Sequence, residues 1–493
     1  MADPAIEASP QRRRRRVAAG VAETPRVNGS KLAATVADRI IADIGQLGWP
    51  EGEVVGSESE LLQRYGVSRA VFREAVRLVE HKQVARMRRG PGGGLVVTPP
   101  SVDSVADAVS VYLFYVGAEI DDVFEARLAL EEEAAELAPA RLDETHIDQL
   151  RSLVQREHER HGQCEGEGTI VDYRELHRLV ASMTGNPALE FFVDLLNRVT
   201  LLYLPRGSTM ARSVLSESAT AHAAIVDAII AGNEGLARHR MRKHLLAEAE
   251  YLRARRPSRR RLADLTTTVG RSDKRAEVTA RQIFGEVTAR GWQVGTLLGS
   301  EPELMERYDV SRAVLREAVR MLEHHQVARM RRGPGGGLFV AEPGIEAVTD
   351  AVALHVDRLG ILPRDLFEVR GAVEMAVLDR VTGRLDHEAE ACLQAALAAE
   401  RAATRDEFPV VGHDLHNVLA AVAGNPVLEL LTLVLVHVTR WHAAAPAGVT
   451  DPLPTQDVIH VHERIVEAIV ARDLELARHR IRRHLDALVD WSR

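Results

Sequence analysis

The stretch GSESELLQRYGVSRAVFREAVRLVEHKQVARMRRGPGGGLVV, residues 56–97, carries the pattern of two short helices followed by a hairpin. Ser57 and Glu60 have the spacing of a capping box opening the helix SESELLQRYG, which Gly66 ends. Ser68 is a candidate cap for a third helix, RAVFREAVRLVEH. Two short helices joined by a tight, glycine-containing turn predict a helix-turn-helix. In the later helix Arg69, Arg73 and Arg77 are four apart and share one face, while Val71, Ala75 and Leu78 lie on another and can pack inward. A helix with such a basic outer face can enter the major groove of DNA.

Val84–Met87 and Leu95–Thr98 are predicted strands, with Arg88, Arg89 and the turn Gly90–Gly94 between them: a β-hairpin wing. Glycines such as Gly92 and Gly93 permit close backbone approach to DNA. The two arginines can meet phosphate or the minor groove. A purely structural hairpin is the competing reading. GPGGG is not GxxxxGK[ST] and has no strand–loop–helix context, so a nucleotide-binding loop is unsupported. Upstream, KLAATVADRIIADIG at 31–45 has a helical stripe of Leu32, Val36, Ile40 and Ile44, with Ser30 as its candidate cap. GQLGWPEGEVVG then breaks the pattern.

The pattern occurs twice. SRAVFREAVR at 68–77 returns as SRAVLREAVR at 311–320, and ARMRRGPGGGL at 85–95 returns unchanged at 328–338, both offset by 243. TGNPALEF around Asn186 matches AGNPVLEL around Asn425, and IVDAIIAGNEGLARHRMRKHL at 225–245 matches IVEAIVARDLELARHRIRRHL at 465–485. A period this long excludes a solenoid, so each copy is a complete multi-domain unit. The second head carries Arg312, Arg316, Arg320, Arg331, Arg332, Gly335 and Gly336 at the matching places.

Composition agrees with this reading. Aromatics are only 4% of 493 residues, whereas alanine and long-chain helix formers abound, which predicts a mainly α protein of several domains. A net charge of -8 argues against a nonspecific nucleic-acid binder as a whole but says nothing about a local patch. Cys164 and Cys392 form no CxxC spacing, so neither a disulfide framework nor a cysteine-rich zinc site is supported and a reducing compartment is expected. Without a long uncharged apolar run or a signal core, a cytoplasmic location and no membrane partner are expected.

The expected organisation is a disordered basic tail at 1–29, whose Arg12–Arg16 run is either a phosphate contact or solvated, a winged helix-turn-helix at 30–99, and an all-helical bundle at 100–253. A linker at 254–272, a second winged helix-turn-helix at 273–342 and a second bundle at 343–493 follow. In the bundles His177, His222 and His244 correspond to His416, His462 and His484. Their spacing is too wide for a local metal motif. A bundle can still gather three imidazoles around a divalent ion, and ordinary core or surface histidines are the alternative.

Each head resembles the winged helix-turn-helix of the GntR family, in its FadR-like branch, over about 70 residues. The resemblance implies operator contacts by Arg69 and Arg73, Arg312 and Arg316, with the wing at Gly92, Gly93, Gly335 and Gly336. The early second-helix position that often holds a DNA-contacting arginine is Ser59 in one copy and Pro302 in the other. The bundles resemble the FCD effector domain. That implies one zinc-like divalent ion per bundle on one aspartate and three histidines, the latter matching the six named above. The aspartate position is Tyr173 in one copy and Gly412 in the other, with Asp172, His413 and Asp414 nearby but off register, so a three-histidine site or no metal is expected. A family arginine that meets effector carboxylates matches Arg127 and Arg370. An exposed salt bridge to Glu131 or Glu374 is the alternative.

The expected function is therefore a sequence-specific DNA-binding regulator, not an enzyme, that represses until a small carboxylate or acyl-thioester metabolite binds. Its expected partners are double-stranded operator DNA, that metabolite, and itself, as an internal pseudo-dimer or a homodimer. Architectural DNA binding with degenerate sensor bundles is the alternative, and metal-assisted hydrolysis lacks a placed base or nucleophile.

Overall fold

A computed structural model describes residues 29–90, 92–98, 101–163, 168–169, 174–203, 209–210, 212–254, 275–404, 407–443 and 455–491. The expectations for the basic tail and for nearly all of the linker fall outside these residues, as do Asp172 and Tyr173. The chain is mostly helical, with small antiparallel sheets.

The first head is built from α1 (Gly29–Gln46), β1 (Val54–Gly56), α2 (Glu58–Tyr65), α3 (Arg69–His81), β2 (Ala85–Arg88) and β3 (Gly94–Val97). The Ser57–Glu60 capping box forms, and Gly66 ends α2 in the left-handed region with its N–H donating to Leu62 O. The Ser68 hydroxyl accepts from Val71 N at the start of α3. The sheet runs β1-β3-β2, with Arg86 opposite Val96 and Met87 opposite Leu95.

Five details differ from the sequence reading. Gly29 and Ser30 are both already helical, so Ser30 lies within α1 and not ahead of it. Leu32 is 46% exposed, because the buried stripe runs through Ala33, Val36, Ala37, Ile40, Ile41 and Ile44. The broken segment contains β1, a short strand recruited by pairing with β3. Arg88 belongs to β2, since both wing strands are shifted by up to a residue. In α3, Ala75 is buried as expected, but Phe72, Val76 and Val79 supply most of the buried face. Val71 and Leu78 pack at its margin.

The first bundle comprises α4 (Val102–Val116), α5 (Ile120–Leu137), α6 (Glu144–Gln163), α7 (Arg174–Met183), α8 (Pro187–Thr200), α9 (Arg212–Ile230) and α10 (Glu234–Ala254). Asn186 caps α8, its side chain accepting from Leu189 N. The second copy repeats the order from Arg275–Ala289 to Leu474–Trp491. At its first helix-to-helix turn Asp309 adopts φ 50 where the first copy has Gly66, a conformation that aspartate tolerates better than most residues.

The two bundles share one continuous apolar core. Helix α5 packs against its counterpart Pro363–Arg384. Two asparagines bridge the seam reciprocally. Asn186 Nδ2 donates to Asp365 O at 3.0 Å and Glu368 Oε2 at 2.6 Å, and Asn425 Nδ2 donates to Asp122 O at 3.1 Å and Glu125 Oε2 at 2.7 Å.

Each head sits on the other copy's first bundle helix. Leu354, in the Ile345–Arg358 helix, enters the core of the first head. Trp49 Nε1 donates to Asp357 at 3.1 Å, and Lys82 pairs with Asp350 at 3.1 Å. Reciprocally, Val111, Phe114 and Tyr115 of α4 enter the core of the second head, with Phe114 5.9 Å from Phe284 and Tyr115 5.5 Å from Trp292 between ring centres. The heads also touch directly through Gln83 and His324.

Candidate DNA interface and metal centres

Helix α3 presents its arginines to solvent because its apolar face is consumed by α1 and the sheet. Arg69 and Arg73 have side chains 69% and 65% exposed, and both lie beside one oxygen of Glu58, at 3.2 and 3.4 Å. Arg77 pairs with Glu74 at 2.9 Å. The second head repeats this: Arg312 and Arg316 meet the two oxygens of Glu301 at 3.0 and 2.9 Å, and Arg320 meets Glu317 at 3.2 Å. Exposed pairs of this kind contribute little to stability. They leave three cations in a row on the exposed face of each helix.

In the wing, Arg88 Nη2 donates to Gly92 O at 2.9 Å, and Arg331 lies over the Phe339 ring at 4.3 Å. Arg89 and Arg332 are exposed in the turns. The glycines have a structural reason of their own. Gly92 and Gly335 have φ 69 and 72. A Cβ on Gly93 would lie 2.4 Å from Arg88 O, and one on Gly336 2.4 Å from Arg331 O, both backbone atoms that cannot yield. The turn therefore requires these glycines whether or not DNA approaches. Arg86 and Arg329 are also exposed, on the same strand face as Arg88 and Arg331, and the sequence reading passed them over. The period-two alternation of ARMR was the signal for them.

The histidines do come together. In the first bundle His177, His222 and His244 are buried with nitrogens within 4.8 Å of one another, and in the second His416, His462 and His484 do the same. Four carboxylates orient the rings. His222 Nδ1 meets Glu157 at 2.9 and 3.0 Å, His462 Nδ1 meets Glu400 at 2.9 and 3.0 Å, and His416 Nδ1 meets Glu374 at 3.0 Å. His177 Nδ1 meets Glu131. A carboxylate accepts from an Nδ1–H, and a neutral ring that donates in this way leaves its Nε2 lone pair facing inward.

Those inward nitrogens fit a cation. In the second bundle His462 Nε2 lies 3.3 Å from His484 Nε2, and His416 Nε2 is buried without a hydrogen-bond partner. In the first bundle His244 Nε2 is 3.3 Å from both His222 Nε2 and His177 Nε2. A tetrahedral ion with nitrogen ligands at about 2.05 Å separates neighbouring nitrogens by about 3.3 Å. Burial and the neighbouring imidazoles push His244 and His484 well below the usual histidine range. Burial also lowers His416 to about 4, against the pull of Glu374. Rings kept neutral are the form that binds metal. Gly412 cannot supply a fourth ligand, and its neighbourhood is filled by Phe408.

Arg127 and Arg370 are each only 1% exposed. Arg127 pairs with Glu131 at 2.7 Å and Arg370 with Glu374 at 2.6 Å, so the i,i+4 salt bridges exist but are buried, not exposed. Each glutamate thus joins an arginine to a histidine of the cluster. Burial would raise the Glu131 carboxyl, but Arg127 and His177 outweigh it and hold it at about 2. These carboxylates were the residues the sequence reading missed as orienting groups.

The family model described as bacterial regulatory proteins of the gntR family matches residues 32–95 and 276–340, and the FCD domain model matches 122–247 and 365–487. Together they cover well over half of the chain. The chain is a GntR-family transcription regulator. It carries the DNA-binding head and the FCD effector domain twice in tandem, and it is not an enzyme.

Relatives of this regulator have a single unit's length. The uncharacterized HTH-type transcriptional regulator YcbG of Bacillus subtilis is 27% identical over 226 residues, 45% of this chain and 91% of its own. The HTH-type transcriptional repressor NanR of Cronobacter sakazakii is 25% identical over 255 residues, 46% of this chain and 91% of its own. The solved Streptococcus agalactiae GntR structure shares 23% identity, covering 44% of this chain and 99% of that one, with a TM-score of 0.34. No described helix of the regulator is long and apolar enough to cross a membrane.

Proposed function

We propose that this regulator is a cytoplasmic repressor in which one polypeptide does the work of a homodimer. Its heads, at about 30–99 and 273–342, read the two halves of a roughly palindromic operator through Arg69, Arg73 and Arg77 and through Arg312, Arg316 and Arg320. Arg88, Arg89, Arg331 and Arg332 grip the flanking backbone. The observation that carries this reading is the reciprocal seating of each head on the other copy's first bundle helix. It couples the two recognition helices within one chain, at an effective concentration no free partner can match.

His177, His222 and His244 would hold one divalent ion, zinc or similar, and His416, His462 and His484 a second. Such an ion supplies a Lewis-acidic anchor for an anionic ligand. The effector is a small carboxylate or acyl-thioester metabolite that meets a buried arginine. Ligand contacts that differ between two arrangements of α4 and the Ile345–Arg358 helix would shift head spacing and hence operator affinity.

Selection of genomic fragments by the purified chain, with mass measurement of the complex and elemental analysis of the same sample, tests the proposal. One operator with two related halves bound by one chain, and a metal content of two ions per chain, is expected. Occupancy of one operator by two chains would overturn the pseudo-dimer. Enrichment of generic DNA alone would overturn the regulator's specificity, and a metal-free chain the histidine assignment.

A further inference from the structure

The two bundles carry the same buried arginine in different company. In the first, Arg127 donates from Nε to Glu131 at 2.7 Å and from Nη1 to Glu248 at 3.2 Å, leaving Nη2 without a partner. In the second, Arg370 donates from Nε to Glu374 at 2.6 Å, and both Nη1 and Nη2 are buried without a hydrogen-bond partner. One position accounts for the difference. Four residues after His244 stands Glu248, and four after His484 stands Leu488. The remaining charged groups match pairwise, Glu131 with Glu374 and Glu157 with Glu400. Among the described residues the second site is thus one negative charge short of the first.

Unmet guanidinium donors in a buried site are costly. Two adjacent Nη donors are also the fork that a carboxylate engages with both oxygens. Beside this site opens a groove of about 610 Å³, walled by His484 and Leu488 and by Arg464, Arg480 and Arg483, with Asp457 as the single carboxylate of its lining. Its charge favours an anionic visitor.

We propose that the two bundles are unequal sensors. The second takes a small carboxylate on Arg370, whereas in the first Glu248 already supplies that carboxylate from within the chain. This assignment rests on the effector reading above and confines it to one bundle. The first bundle then acts as a permanently occupied partner, and one ligand per chain operates the switch.

Calorimetric titration of the full chain with acetate, lactate, malonate, citrate and benzoate tests the assignment. At least one of them is expected to bind at one site per chain. Leu488→Glu places a competing carboxylate in the second bundle and should weaken that binding about a hundredfold. Leu488→Gln, which keeps the shape without the charge, should retain it. Glu248→Leu should create a second site. Two equal sites in the unaltered chain, or undiminished binding in Leu488→Glu, would overturn the inequality while leaving the effector reading in place. Loss of binding in Leu488→Gln as well would refute the charge argument, as would a Glu248→Leu chain with one site. Failure of every carboxylate, in both the unaltered chain and Glu248→Leu, would remove the carboxylate effector and the inequality together. Operator selection is read independently and stands through any of these results.

Discussion

Replacing Asn186 by alanine should loosen the seam between the bundles more than any comparable surface change. Its Oδ1 accepts from Leu189 N at 2.9 Å, and its Nδ2 donates across the seam to Asp365 O at 3.0 Å and to Glu368 at 2.6 Å. Losing the cap costs about 1 kcal/mol. The neutral hydrogen bond is worth about 1 kcal/mol, and the one to a charged acceptor about 2 kcal/mol. Asn186 is buried, so water does not readily replace these partners. The expected total is about 4 kcal/mol. With a urea dependence of about 3 kcal/mol per M, the midpoint should fall by roughly 1 M. Asn186→Asp separates the two roles. It keeps the acceptor that caps α8 but sets a carboxylate against Glu368, so it should be at least as damaging as alanine. Urea titration followed by far-UV circular dichroism measures both, with the earliest resolved transition of the multi-domain chain as the readout. A midpoint within about 0.3 M of the unaltered chain for alanine would refute the seam's energetics. So would an aspartate variant as stable as the original.

Three further outcomes follow from the heads. Arg69→Ala should weaken binding to a selected operator by about 10- to 100-fold and leave nonspecific DNA binding nearly intact; equal operator affinity by fluorescence anisotropy would sink the assignment of this face. Gly93→Ala should destabilise the first head in the absence of DNA, since its Cβ would collide with Arg88 O, and an unaltered melting curve would show that the turn can yield. His325 is half-buried with Nδ1 unpartnered, and burial, then His324, depresses it to about 3. The unfolded chain protonates this ring below about pH 6.5 while the folded one does not, so its contribution is complete above that value and is lost as pH falls toward 3. His325→Leu should flatten the acid side of the stability profile measured by thermal melts across that window, and a profile parallel to that of the unaltered chain would contradict the assignment.

The heads were legible because their signals are local. Ser57 with Glu60, Gly66, Ser68 and the arginines of α3 act over three to five residues, and the structure uses each as its spacing implies. Strand β1 was not legible, because Val54–Gly56 is a strand only through pairing with β3, some forty residues on. Leu32 misled because periodicity gives a stripe without saying which edge of it faces the core, and two alanines won that side. In the bundles the repetition of the histidines between copies was visible, but what aims them was not. Glu157 and Glu400 read in sequence as ordinary charges on a polar helix, and only packing of distant helices brings them to His222 and His462. The seam asparagines marked the repeat in sequence, and the structure makes both of them helix caps. Their second role across the interface requires knowing that the copies face each other.

Covalent duplication changes what substitution can do. In a homodimer every replacement falls on both subunits, so an interface or sensor must tolerate each change twice. Here Gly66 faces Asp309, Lys82 faces His325, Ser59 faces Pro302 and Glu248 faces Leu488 at matching positions of one chain. Lys82 bridges Asp38 and Asp350, while its counterpart His325 is pressed into neutrality. Three of these differences sit beside a contact retained in both copies: Gly66/Asp309 and Ser59/Pro302 beside the serine caps, and Glu248/Leu488 beside the glutamate–histidine pairs. The retained set recurs in both copies, and on the proposed assignments the diverged set lies where one half would change its ligand or its operator half-site without disturbing the other. On the proposed assignments, a chain of this kind would read an asymmetric operator and answer one ligand with a single bundle, which a symmetric dimer of identical subunits does only by leaving one of two equal sites unused.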